Sequence, residues 1–299
     1  MTSSAAAVPG ASVVVATLNR GPYLVQTLED LLRQRYRPLE ILVVDQSAAP
    51  DPRVMELVAA NSELISYHQV SFTGLPLARN FGWQKAKYPH VIFVDDDVRC
   101  GPDLVAEHVG SLGDPSVGVV AGGVDELTND RSGVVGGFNP WLVGPVGTFG
   151  AVGEFDASSA KGCNFSTRVT VLRELGGIDE LLNVGAALHE ETEFCLRARA
   201  AGYRVRFNGR ARLVHLAAPS GGCRVKEPRL YVRALFHNRG VLMRRHLRPY
   251  HCPSAAARLL WLTAAFARAN RDLGVVSAAL QGCVEGLRKG GEPVRCSRW

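Results

Sequence analysis

No run of about eighteen uncharged apolar residues occurs anywhere in the 299-residue chain; Arg, Gly or Asp breaks every apolar stretch early. That excludes a membrane-spanning helix. No C-x-x-C pair occurs, and the seven cysteines are an odd number, so neither a zinc site nor a disulfide framework is expected. G-x-G-x-x-G does not follow the first apolar run, and G-x-x-x-x-G-K-[ST] is absent, which disfavours Rossmann dehydrogenases and P-loop enzymes. A nucleotide would have to be held by a metal and arginines instead. The opening residues, MTSSAAAVPGAS, lack the basic start and apolar core of a signal peptide, and the expected compartment is the cytoplasm. Apolar residues at 46% and charged residues at 21% exclude a disordered chain or a collagen-like repeat.

Charge is unevenly distributed. From Pro219 to Trp299 there are fifteen Lys/Arg against four Asp/Glu, a net of +11, which leaves −5 for the rest of a chain whose total is +6. An acidic body with a basic tail suggests that the tail meets an anion; a solvated helical surface is the plainer alternative.

The first half alternates apolar strands with helical patterns. Ser12–Ala16, Leu39–Val44, Leu64–Val70, Val91–Val94 and Val117–Ala121 read as strands. Tyr23–Arg35, Arg53–Ala60, Leu75–Lys87 and Asp103–Leu112 read as helices. Such alternation implies an α/β fold with a mostly parallel sheet covered on both faces. Ligands of these sheets bind at the carboxyl ends of the strands. Thr17, Asn19, Asp45 and Asp95–Asp97 all follow apolar strand runs, so one crevice is expected to gather them. Gly122–Gly153 holds nine glycines and reads as loops with short strands. A helix near Thr170–Leu175, a helix over Glu190–Ala201, and strands at Tyr203–Phe207 and Arg212–His215 follow. The chain from Pro228 onward is helical.

Asp95-Asp96-Asp97 is the strongest chemical signal. Three adjacent carboxylates repel one another unless a cation neutralises them. On an extended segment Asp95 and Asp97 share one face and Asp96 takes the other. Hard oxygen ligands suit Mg²⁺ or Mn²⁺, which also hold phosphates. The second signal is His189-Glu190-Glu191-Thr192-Glu193, carboxylates crowding a helix start. The helix dipole accounts for one or two of them, and a general base for a hydroxyl accounts for another.

Several segments in order resemble the inverting glycosyltransferases of family 2, over about Ser12 to His246. They are V-V-V-A-T-L-N-R, L-E-I-L-V-V-D, G-L-P-L-A-R-N-F-G, F-V-D-D-D, G-C-N-F-S-T-R…G-G-I-D-E, H-E-E-T-E-F-C-L-R, A-G-Y-R-V and V-H-L-A-A-P-S-G-G-C-R. F-H-N-R-G-V-L-M-R-R-H is similar to a C-terminal element of one bacterial subgroup. The resemblance implies the nucleotide-diphospho-sugar transferase (GT-A) fold over 1–225, with a nucleotide-binding half at about 10–121 and an acceptor-side half at 122–225. A basic helical extension over 226–299 completes the chain.

By the same resemblance Thr17, Asn19 and Arg20 line the nucleotide pocket, Asp45 accepts from the base, and Arg79 contacts base or phosphate. Asp95 and Asp96 lie near ribose and diphosphate. Asp97 binds the metal, Mg²⁺ or Mn²⁺, with Asp95 and His215 as further ligands. Gly162, Cys163 and Asn164 sit beside the donor sugar or acceptor. Glu191 stands where the family usually has the Asp of a Glu-Asp pair, the catalytic base, and Glu190 is its competitor.

The implied partners are a nucleoside-diphosphate sugar and a hydroxyl-bearing acceptor such as a glycan, glycolipid or natural product. Apart from the resemblance, Leu259–Phe266 with Arg258, Arg268 and Arg271 is moderately amphipathic, so the basic tail reads as an element for the inner membrane face or the acceptor, or as a helix packed on the catalytic core; nucleic acid is not expected. Two rival readings are weaker. A sugar-nucleotide-forming nucleotidyltransferase needs a Gly-rich basic loop where this chain has T-L-N-R-G-P-Y. A non-catalytic nucleotide-sugar-binding protein would have no need of the intact acidic residues.

Overall fold

Strands with a continuous apolar run can be buried on both faces, and the central strands are built around such runs, with Ser12 of the first donating to the buried Glu40 of the second at 2.6 Å. In β1 (Ala11–Thr17), Val13 and Val15 face one helical layer while Val14 faces the other. The same alternation runs through β2 (Leu39–Asp45), with Ile41 and Val43 opposed to Leu42. The computed structural model describes residues 8–126 and 135–299. The opening residues 1–7, and residues 127–134 within the glycine-rich stretch, lie outside the described residues.

The remaining elements follow in chain order. The first half adds α1 (Gly21–Leu32), α2 (Pro52–Ala60), β3 (Ile65–Gln69), α3 (Leu75–Lys85), β4 (His90–Asp95), β5 (Val98–Cys100), α4 (Leu104–Leu112) and β6 (Val117–Asp125). Then come β7 (Gly137–Asn139), β8 (Gly144–Val146), β9 (Glu154–Ala157), β10 (Asn164–Arg168), α5 (Val169–Leu175), α6 (Glu190–Ala200) and β11 (Arg204–His215). The chain ends in α7 (Pro228–His246), α8 (Cys252–Asn270) and α9 (Gly274–Lys289). Among the described residues one large sheet runs β3-β2-β1-β4-β10-β6-β11-β5, with β9 beside β11. Residues of α1, α2 and α4 pack on one face; residues of α3, α5 and α6 pack on the other.

The sheet is parallel through β3-β2-β1-β4 and mixed beyond. β10 inserts antiparallel between β4 and β6, and β11 is parallel to β6 but antiparallel to β5 and β9. The expected strands at Tyr203–Phe207 and Arg212–His215 are one strand with an irregularity between Asn208 and Arg212. Short or polar strands such as β5, β9 and β10 offered no apolar run to detect. The largely parallel sheet inferred from the first half therefore describes that half and not the whole.

The C-terminal helices pack through small residues. A Cβ on Gly282 would stand 2.3 Å from the Arg233 carbonyl, and one on Gly286 would meet the His237 carbonyl at 2.0 Å, so α9 lies backbone-to-backbone on α7. Above this pair the hairpin β7–β8 contributes Val143, which is buried with Val232, Leu235 and Phe236 of α7.

At the centre of the sheet His108 of α4 is fully buried between Ser166 Oγ (2.9 Å) and Asn164 Oδ1 (2.8 Å). Burial pushes its pKa down to about 4. The unfolded imidazole titrates near 6.5, so the neutral ring's contribution is complete above that pH and is lost as pH falls towards 4. Urea unfolding across that window is expected to lose up to roughly 3 kcal/mol to this group. In His108→Gln the slope over the same window should flatten by that amount; an identical slope would exclude the assignment.

Candidate functional site

The Asp95–Asp97 turn sits where β4 leaves the centre of the sheet and β5 joins its edge. Thr27 of α1 fastens it: the Thr27 hydroxyl lies 2.8 Å from the Asp96 carbonyl and 2.9 Å from that of Val98, and it accepts from the Val98 N–H at 3.1 Å. Pairing of β5 with β11 puts His215 opposite Val98, the residue after Asp97.

The three carboxylates are then divided. Asp96 is turned inward, accepting from the Thr17 hydroxyl at 2.7 Å and from Arg20 Nη1 at 3.0 Å. Burial raises its pKa to about 7, although Thr17 and Arg20 pull the other way. Asp97 is fully buried; its Oδ2 accepts from the Ala218 N–H at 2.7 Å and lies 3.3 Å from Arg20 Nη1. Its buried Oδ1 has no hydrogen bond of good geometry and stands 3.3 Å from His215 Nε2. Asp95 is the most open of the three, with 27% of its side chain exposed, and it lies 3.2 Å from Arg79 Nη2.

Asp95, Asp97 and His215 can each offer one ligand atom, and these atoms lie within 4.8 Å of one another. Two carboxylates and an imidazole are a donor set for a hard or borderline divalent cation. Burial lowers the pKa of His215, but the carboxylates of Asp97 and Glu126, 3.3 and 3.4 Å from its ring nitrogens, and the charge of Asp95 outweigh it and raise the value to about 9. A cation arriving here would displace a proton from that ring. Burial raises the pKa of Asp95 against the pull of Arg79, so its charged form is compensated by the protein only in part. The orphaned Asp97 Oδ1 and the donor chemistry both fit a divalent ion.

Two cavities meet at Asp95 and Leu75. The smaller, about 320 Å³, is lined by Thr17, Arg20, Gln46, Asp96 and the Gly222–Val225 segment. The larger, about 550 Å³, is lined by Arg79, Glu126, Lys161, Gly162, Cys163, His189, Glu190, Glu191 and His215, with Pro145–Phe149 across from them. The expected single crevice is thus divided. Asn19 and Asp45 border a third, smaller hollow of about 250 Å³ that also touches Thr17. Asp45 accepts from the Tyr67 hydroxyl at 2.6 Å and the Ser47 N–H at 2.7 Å, so the fold already engages both of its oxygens.

Asn164 is not brought to either cavity. It is fully buried in β10; its amide donates to the carbonyls of Gly123 and Ala211, both at 2.8 Å, and its oxygen faces His108. Its neighbours Gly162 and Cys163 do line the larger cavity, because only the loop before the strand reaches the rim.

Glu190 and Glu191 open α6 and differ sharply. Glu190 is buried and ion-paired with Arg79 Nη1; the same guanidinium donates to the Gly162 carbonyl at 2.7 Å and stacks over the Phe165 ring at 5.2 Å. Arg79 is therefore a buried strut and not a surface ion-pair partner. Glu191 makes no ion pair among the described residues. Its Oε1 accepts from the Thr192 hydroxyl at 3.1 Å, and its Oε2 would stand 3.6 Å from a Cβ placed on Gly162. Sequence reasoning missed Glu126 and Lys161, which pair at 2.9 Å on the cavity wall. Glu126 also stands 3.4 Å from His215 Nδ1. The missed signal was an acid after an apolar strand, the same rule that found Asp95, hidden because β6 runs further than its apolar core.

Residues 12–171 match the family described as glycosyl transferase family 2. Among curated proteins, the chain is 28% identical over 216 residues to the glucosyl-dolichyl phosphate glucuronosyltransferase of Haloferax volcanii, covering 68% of each. It is 31% identical over 100 residues to glycosyltransferase GlyG of Streptococcus pneumoniae, covering 33% of this chain and 32% of that one. The match thus spans from about a third to two thirds of these relatives' length. Among solved structures, the mannosyltransferase PcManGT of Pyrobaculum calidifontis, in complex with GDP-Man and Mn²⁺, superposes with a TM-score of 0.57 at 18% identity, covering 94% of this chain and 87% of that one. At that identity the likeness shows the fold, which is GT-A.

Proposed function

The chain belongs to glycosyl transferase family 2, and from that premise we propose that it moves a sugar from a nucleoside-diphosphate sugar to an acceptor hydroxyl by one inverting displacement. The observation that carries this reading is the meeting of two cavities at Asp95, the larger of them lined both by His215 of the metal-competent triad and by Glu191, which makes no ion pair among the described residues. The smaller cavity, on the 10–121 half, takes the nucleotide; the larger, mostly from 122–225, takes sugar and acceptor. Asp95, Asp97 and His215 would hold Mn²⁺ or Mg²⁺, which neutralises charge on the departing diphosphate. A solved structure of similar fold contains GDP-Man and Mn²⁺, in keeping with this assignment.

The chain's own groups supply the rest. Arg20 and Thr17 hold Asp96 inward, which leaves the nucleotide cavity floor fixed in shape. Arg79 ties Glu190 to Asp95 and Gly162, so Glu190 is committed to structure. Glu191 is then the base. Its carboxylate takes the acceptor's hydroxyl proton while that oxygen forms its bond to the anomeric carbon. The bond from that carbon to the diphosphate oxygen breaks, and its electron pair leaves with the diphosphate. Attack comes from the face opposite the leaving group, and no covalent glycosyl-enzyme forms.

The C-terminal helices support a peripheral contact with an anionic lipid surface. On α9 the face opposite α7 exposes Leu273, Val276, Leu280, Val284 and Leu287, and α8 exposes Leu260 and Trp261. The exposed Arg268, Arg271 and Arg288 flank them. Apolar stripes edged by arginine complement anionic headgroups. Among the described residues no helix is long and apolar enough to cross a membrane.

Three outcomes are expected. Glu191→Gln should lower turnover by about a thousandfold or more, within the range of a lost general base and more, while calorimetry shows donor affinity within twofold of wild type; near-normal turnover would remove Glu191 from the role. Asp97→Ala should weaken Mn²⁺-dependent donor binding by about tenfold or more, and unchanged affinity would count against its ligand role. The full chain should co-sediment at low salt with vesicles rich in phosphatidylglycerol but not with phosphatidylcholine alone, and Leu280→Glu should release it. Failure to pellet with anionic vesicles, or pelleting without any vesicles through self-association, would discard the membrane contact.

A further inference from the structure

The apolar stripe of α7 that faces the β7–β8 hairpin and α8 contains a charge with no partner. Val232, Leu235, Phe236 and Leu242 are buried there, at the spacing of one helical face. Arg239 falls in the middle of that face. Its Nε and Nη1 are buried and make no hydrogen bond. Nη2 lies towards Gly144 of β8, where a Cβ would stand only 3.1 Å away, so the glycine leaves the guanidinium its space. Among the described residues no carboxylate pairs with Arg239.

Burial, and then the positive charge of Arg258 on α8, push the pKa of Arg239 down to about 10. Arg258 has no carboxylate partner among the described residues either; its guanidinium stacks on Trp261 at 4.3 Å. Leu259 of α8, next to Arg258, packs on the α7 face that carries Arg239, and a buried guanidinium beside a second positive charge is costly unless an anion joins it. Other buried arginines among the described residues meet this cost internally: Arg79 has Glu190, Arg245 has Asp179 and Glu193, and Arg197 has Glu193. The exception sits beside the larger cavity. Gly144 runs directly into Pro145–Phe149, which line it, and Asn238, next to Arg239, donates to the Leu188 carbonyl on its rim at 2.7 Å. Arg239 is also close enough to His189, another lining residue, to depress its pKa.

We propose that Arg239, assisted by Arg258, is a subsite for an anionic group, phosphate or carboxylate, carried by the acceptor and seated between the β7–β8 hairpin and α7. The guanidinium fork matches either group with paired hydrogen bonds. The inference deepens the proposed function, since it rests on the larger cavity being the acceptor side, and it narrows the acceptor from any hydroxyl compound to one that also carries negative charge.

The test is calorimetric titration of the full chain with phenyl phosphate and, separately, benzoate. EDTA and constant ionic strength remove responses of the metal site and of bulk salt, and chloride is the control anion. At least one of the two ligands should bind wild type above chloride. Which one binds separates a phosphorylated from a carboxylated acceptor. Arg239→Met should weaken that binding about tenfold or more, as loss of charge-assisted hydrogen bonds does, and Arg258→Gln should weaken it less. Arg239→Met should melt no lower than wild type, because it removes an unpaired buried charge from an apolar face. If it does not fold, Arg258→Gln still reports the site. No binding of either ligand by wild type, or binding indifferent to both substitutions, would overturn the proposal. Nucleotide titration with Mn²⁺, expected to be unchanged in both variants, reads the donor site separately, so failure of the donor assignment is distinguishable from failure of the subsite.

Discussion

Confining three carboxylates to one buried turn is the constraint on which the site depends. The turn is affordable only because each charge meets a different element. Asp96 is met by Thr17 and Arg20 from the end of β1, and Asp97 by the Ala218 amide and His215. Asp95 is met by Arg79 from α3. Thr27 fastens the backbone beneath them through three short contacts. The compensation is nonetheless incomplete where the two cavities join, and incompletely compensated charge at a cavity mouth is what a cation and a diphosphate can complete.

A second balance decides which glutamate is free. Arg79 reaches from α3 across the sheet's end to Glu190, Asp95 and the Gly162 carbonyl, with its flat face against Phe165. A guanidinium can do this because it is planar and offers several donors in fixed directions. One buried arginine therefore joins the nucleotide side to the acceptor side and consumes one of two adjacent carboxylates. Glu191, one residue further along α6, is left facing the cavity with only a hydroxyl partner. The C-terminal helices extend the same logic outward. Their glycines let α9 lie directly on α7, which presents one face of α9 to solvent and positions the unpartnered Arg239 against the hairpin at the cavity rim.

Much of the nucleotide-binding half was legible because β1, β2 and β4 are buried on both sides, so each carries a run of consecutive apolar residues. Helices α1, α3 and α4 were legible from apolar spacing, and the aspartates from their place after such a run. β10 was not, since Asn164, Ser166 and Thr167 are polar residues fully buried by hydrogen bonds to carbonyls and to His108. The same fact moved Asn164 from the expected binding role into the core. Glu126 escaped notice because β6 runs past its apolar core before reaching it, and Lys161 because it lies in an unpatterned loop before β10.

The sequence by itself determined the alternation of strand and helix, the carboxylates that must find cations, and a basic tail with an amphipathic character. These follow from local periodicity and from the cost of like charges in sequence. Only the tertiary structure decided that His215 stands by Asp97, that Arg79 takes Glu190 rather than Glu191, and that Arg239 has no counter-charge. Those depend on register between β5 and β11 and on which helix faces which, relations between residues more than 100 positions apart in the chain. No local pattern encodes them, because the energies that select them exist only once burial has stripped the water away.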